Sequence, residues 1–132
     1  MRAFIGGALL AASIQAFACG YCVEDKIAAT YDHAVVTQAL ARQHHVAFLH
    51  VDGGAATRQT LERAAYRAGV DKGSVRVSSD RLTVSFAFDP ARATLGVIHT
   101  RMEKALAAER VSLMPFEVME RPADLKAIKT AR

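Results

Sequence analysis

From His45 to Met119 the apolar residues change their spacing from one segment to the next, and that succession leaves few folds open. Val46, Ala47, Phe48, Leu49 and Val51 run almost without interruption until Asp52-Gly53-Gly54 breaks them. A short strand that is apolar on both faces belongs in the middle of a sheet. Ala55 to Gly69 carries Leu61, Ala64, Ala65 and Ala68 on one helical stripe, with Gly69 placed to end the helix. Asp71-Lys72-Gly73 is a turn. In Ser74 to Ser79, Val75 and Val77 alternate with Arg76 and Ser78; beyond Ser79-Asp80-Arg81, Leu82, Val84, Phe86 and Phe88 alternate with Thr83, Ser85 and Ala87. Two such runs with a short connection predict a hairpin with one buried face. Asp89-Pro90 reads as a helix start, followed by the stripe Leu95, Ile98, Met102, Ala105 and Leu106. Val111 to Met119 closes the series as a strand, with Pro115 marking an edge position or a bulge.

Strand, helix, strand, strand, helix, strand is the split βαβ order, and it predicts an α+β, ferredoxin-like βαββαβ sandwich over residues 45–120. One further helix is expected before it, from Val23 to about Gln43, because Ile27, Tyr31, Val35 and Ala39 recur every four residues. Glu24 and Asp25 fall in its first turn, while Arg42 and His44-His45 fall at its end, as the helix dipole favours. The pattern leaves open whether this helix lies on the sheet or on the helix layer. Residues 121–132 read as a polar tail.

Residues 1–18 read as a cleaved signal peptide. Arg2 precedes an uncharged run, Ala3 to Ala18, that ends in Ala16-Phe17-Ala18, a small-x-small cleavage pattern. The run is shorter than the ~20 residues a spanning helix needs, and no later run would cross a bilayer. The expected location is periplasmic or secreted. A lipoprotein anchored at Cys19 is the alternative, disfavoured by Ala16 and Phe17 before that cysteine. Lys and Arg total 17 against 13 Asp and Glu, interspersed along the chain. Such a surface is solvated and lacks the one-sided basic patch of a nucleic-acid binder.

The chain has 2 cysteines, Cys19 and Cys22, and they form one CxxC at the expected start of the mature chain. Segment 19–44 is therefore read as a CxxC segment with its helix. In an oxidising compartment such a pair holds a metal, exchanges disulfides, or closes a local disulfide. Two thiolates at this spacing suit a soft d¹⁰ ion such as Cu(I). Cys-Gly-Tyr-Cys also resembles the active-site tetrapeptide of periplasmic thioredoxin-like isomerases, but no strand precedes it in the mature chain. Gly53-Gly54 lacks the rest of a phosphate-binding fingerprint. No paired-carboxylate or Ser-His-Asp arrangement points to an enzyme.

Residues His45 to about Glu120 resemble the heavy-metal-associated domain of copper chaperones and metal-pump N-termini. The likeness rests on the element order, on Leu49-His50-Val51-Asp52-Gly53, and on Phe88-Asp89-Pro90. It implies the same fold and, for partners, a metal-transport or metal-delivery protein. The family's own CxxC loop departs here, because Ala56 and Gln59 stand where its two thiolates belong. The metal pair would then have moved to Cys19 and Cys22, with Cu(I) or another soft metal as cofactor. His33, His50, Met114 and Met119 are the weaker candidate ligands. His50 attracts notice because an imidazole in a central strand needs a hydrogen-bond partner or a ligand. Met102 reads as core. A metal-free module that binds a partner protein remains a further alternative.

Overall fold

In the computed structural model, residues 23–54 and 56–122 are described. The sequence-expected signal peptide, Cys19, Cys22 and residues 123–132 of the tail lie outside them. The described elements are α1 (Val23–Ala28), α2 (His33–Ala41), β1 (His45–Asp52), α3 (Arg58–Ala68), β2 (Arg76–Val77), β3 (Thr83–Phe88), α4 (Leu95–Ala105), a 3₁₀ turn (Ala107–Glu109) and β4 (Ser112–Met119). The sheet runs β2-β3-β1-β4, with each neighbouring pair antiparallel. This is the ferredoxin-like α+β arrangement, carrying two short helices at its N-terminal side.

β1 holds the centre. Val46, Ala47, Phe48 and Leu49 are almost wholly buried because both sheet faces are covered. Ala47, Leu49 and Val51 join Leu61, Ala65, Ile98, Met102 and Leu106 in the core under α3 and α4. Val46 and Phe48 join Val36, Ala39 and Ala87 in a smaller core under α2, with Ile27, Phe116 and Met119 at its margin. The N-terminal helices therefore lie on the sheet, opposite the α3–α4 layer.

That second layer changes three sequence expectations. The expected helix from Val23 to Gln43 is two helices. The chain turns at Thr30, whose carbonyl accepts a hydrogen bond from Ser85 Oγ at 3.3 Å. Asp32 then caps α2, its Oδ1 accepting from the amides of Ala34 at 3.0 Å and Val35 at 3.2 Å. The hairpin was expected to bury one face, yet all six residues of β3 are buried. Thr83, Ser85 and Ala87 are small enough to let the N-terminal helices approach the sheet, so their polarity gave a false sign of exposure. The expected strand Ser74–Ser79 shrinks to Arg76–Val77, because serine side chains replace the ladder at both ends. Ser74 Oγ accepts from the Ala87 amide at 3.1 Å, and Ser78 Oγ accepts from the Thr83 amide at 3.0 Å.

Asp89-Pro90 does not start α4. Asp89 Oδ1 accepts from the Ala91 amide at 2.9 Å and closes a local turn, and the helix begins after Thr94, whose Oγ1 accepts from the Val97 amide at 3.3 Å. α3 starts after Thr57 rather than at Ala55, with Thr57 Oγ1 accepting from the Thr60 amide at 3.1 Å. Gly69 ends that helix in the left-handed region at φ 98°, as expected.

Pro115 lies on the edge strand, also as expected. The pairing of β1 with β4 shifts between Phe48↔Glu117 and Leu49↔Pro115, leaving Phe116 as the extra residue. Met114, opposite His50, and Phe116 and Met119 beyond the bulge all turn to the face of α1 and α2, and Leu113 and Val118 to the other.

Two measurements test this account. A Cβ on Gly54, which has φ +73°, would run into the Glu109 carbonyl oxygen and lie 2.7 Å from Val111 Cγ2, whereas Gly73 at φ +74° has open space. In urea unfolding, Gly73→Ala should cost about 1 kcal/mol and Gly54→Ala distinctly more; equal losses would overturn the packing argument. The Asp32 carboxyl is held below its ordinary 3.8, first by the Val35 amide and then by the Arg76 side chain. Its contribution is present above pH ~3.8 and is lost as pH falls through the lower folded value. Asp32→Asn should therefore be less stable than the parent at pH 7, and the gap should close on acidification.

Candidate functional site

Two clusters of ligand-type side chains stand out, one at each end of β1. At its C-terminal end, His50 is paired by register with Met114 on β4 and with Thr83 on β3. Residues directly opposite in antiparallel strands project to the same face, so His50 and Met114 both face the side of α1. His50 is half-buried, and Met114 is 61% exposed. Asp25, Lys26 and Ala29 of α1 line a small depression together with His50, Asp80, Leu82 and Thr83. No hydrogen bond joins the His50 ring to another described residue.

Asp80 supplies negative charge at that corner. Its Oδ1 accepts from Ser78 Oγ at 2.5 Å and from the Leu82 amide at 3.0 Å. The Ser78 hydroxyl, followed by the Leu82 amide, keeps the carboxyl below its ordinary range, and His50 adds a small attraction. Lys26 lies with its ammonium 5.7 Å from the centre of the Phe116 ring, a cation–π contact that ties α1 to β4.

At the N-terminal end of β1, His44 sits between two carboxylates. Its Nδ1 is 2.6 Å from Asp71 Oδ2, and its Nε2 is 3.8 Å from Asp89 Oδ2. The turn into β1 places it there: Gln43 adopts φ 63°, and the His44 amide donates to the Ala39 carbonyl at 2.8 Å. Beside it, His45 Nε2 lies 3.6 Å from Glu120 Oε2, and its ring meets Phe88 edge-on at 5.6 Å. His44, His45, Asp89 and Glu120, with Arg42, Arg121, Pro90 and Pro122, line an open depression of about 610 Å³. The sequence marks the His44-His45 pair as cations near a helix end. The carboxylate partners come from turns 27 and 45 residues further along the chain, so spacing gave no signal of them.

The other sequence candidates are separated from both clusters. His33 is exposed on α2, where its ring is within 3.4 Å of the Tyr31 hydroxyl and 3.5 Å of Thr37 Oγ1. Met119 packs at the margin of the smaller core, on the same face as Met114 but beyond the bulge. Met102 is fully buried, as expected. Ala56, at the position of the resembled family's first thiolate, is 7% exposed and part of the main core. Gln59 is on α3. Among the described residues no group of three or more His, Cys, Asp or Glu side chains is arranged to hold a metal, and no helix is long and apolar enough to cross a membrane.

Comparison with protein-family models, with curated proteins and with solved structures finds no match to the chain.

The His44 geometry has a direct spectroscopic consequence. A carboxylate only accepts, so the 2.6 Å contact requires the proton on Nδ1 in the neutral ring. Nitrogen-15 shifts of the imidazole should report the Nδ1–H tautomer, and Asp71→Ala should return the ring to the usual Nε2–H majority. An Nε2–H tautomer in the parent protein would contradict the contact.

Proposed function

We propose that this protein is an exported soft-metal-binding protein that holds Cu(I), or a similar d¹⁰ ion, through Cys19 and Cys22 and works in metal handling. The observation that carries the reading is the placement of soft donors. The chain's only 2 cysteines are spaced as CxxC and run directly into α1, which lies across the sheet beside His50. Thiolates at that spacing bind a soft ion almost linearly.

The ferredoxin-like core is consistent with the resemblance to heavy-metal-associated domains, and it also explains why the loop after β1 is no competitor. Ala56 is buried there and Gln59 offers an amide, so neither supplies a soft ligand. Gly54 packs against the backbone of Glu109, so a side chain there would clash with the Glu109 carbonyl. The chain's strongest soft donors are therefore the N-terminal pair. The proposed partner is a metal-transport or metal-delivery protein, and the proposed location is periplasmic or secreted.

The test is titration of the purified, reduced protein with Cu(I) against a competing chelator. One tight equivalent is expected. The double variant Cys19→Ser, Cys22→Ser should weaken binding by well over tenfold, or more than about 1.4 kcal/mol. Unchanged affinity in the double variant would sink the reading. Weak Cu(I) binding together with thiol-disulfide exchange activity would instead favour a redox role for the Cys-Gly-Tyr-Cys pair.

A further inference from the structure

The corner formed by His50 and Met114 has properties that the fold alone does not require. His50 is half-buried on the central strand, and no other described residue hydrogen-bonds its ring. Its partner across β4 is a methionine left 61% exposed, an unusual place for a thioether that contributes nothing to either core. The bulge after Pro115 lies beyond this pair and leaves His50 and Met114 directly opposed.

Directly opposed side chains have Cβ atoms about 4.5–5.5 Å apart. Metal–nitrogen and metal–sulfur bonds of about 2.1 and 2.3 Å put two donors in line about 4.4 Å apart. An imidazole nitrogen and a thioether sulfur rooted on this pair can thus share one ion. A thioether selects a soft cation. On the β3 side of His50, Asp25, Asp80 and Lys26 line a depression with the imidazole, and the Lys26 ammonium lies 5.7 Å from the centre of the Phe116 ring.

We propose that His50 and Met114 form a second ligand pair for a soft d¹⁰ cation. The inference deepens the metal-binding reading and rests on it. The pair is the weaker site, since it offers neutral donors where the cysteines offer thiolates.

The experiment uses Ag(I), which has the same d¹⁰ configuration and does not change oxidation state, and the full protein carrying Cys19→Ser and Cys22→Ser with ¹³C-labelled methionine methyls. On titration, the Met114 methyl and the His50 ring resonances should shift together and saturate at one equivalent, while Met102 and Met119 stay in place. Met114→Leu, a conservative change at an exposed position, should abolish the His50 shift, and His50→Gln should weaken binding at least tenfold. A Met114 methyl that does not move, or that moves without His50, overturns the proposal. Because this titration is done without thiols, its failure is separate from that of the Cys19–Cys22 reading. Thiol-dependent Cu(I) binding with a silent Met114 removes the second pair alone.

Discussion

The structure depends on β1 being buried from both sides and hydrogen-bonded along both edges. It pairs with β3 over His45–His50 and with β4 over Val46–Asp52, and its even and odd residues feed two different cores. An eight-residue strand used this way cannot shift register by one place, because that would exchange the contents of the two cores. Phe48 would move under α3 and α4, and Leu49 under α2. The positions of His44, His45 and His50 follow from the same constraint: two lie at one end of the strand, and the third emerges at the other.

Much of this was legible because hydrophobic period is a physical demand. The unbroken apolar run Val46–Leu49 marked the central strand, and the stripe Leu61, Ala64, Ala65, Ala68 marked the helix above it. Pro115 marked an edge because it has no N–H to give a neighbour. The illegible parts share a cause. Thr83 and Ser85 look like surface residues, yet they are buried by a helix–turn–helix segment contributed from far upstream. A polar side chain under a second layer reads the same in sequence as one under water. The break between α1 and α2 was hidden because the four-residue repeat continues through Tyr31, while Asp32 and Arg76 fix the turn through a contact 44 residues apart.

The candidate ligands divide along the same line. His50 was noticed for being polar in a central strand, and the structure sets Met114 across from it. Its separation from His45 by strand alternation was also readable in advance, since the two are an odd number of residues apart. The arrangement of His44 between Asp71 and Asp89 was not readable, because three loops create it and no spacing rule joins them. In the loop after β1, Ala56 fills the core, and Gly54 lies against the chain that leads into β4.

The bulge in β4 has a consequence beyond directing side chains. Among the described residues β4 is an edge of the sheet, and its outward-facing backbone groups would ordinarily invite another strand. Pro115 removes one donor from that outer row, and the extra residue Phe116 throws the remainder out of step. A foreign strand could match at most a few residues on either side of the interruption. The interruption in β4 thus works against the addition of a foreign strand along this edge.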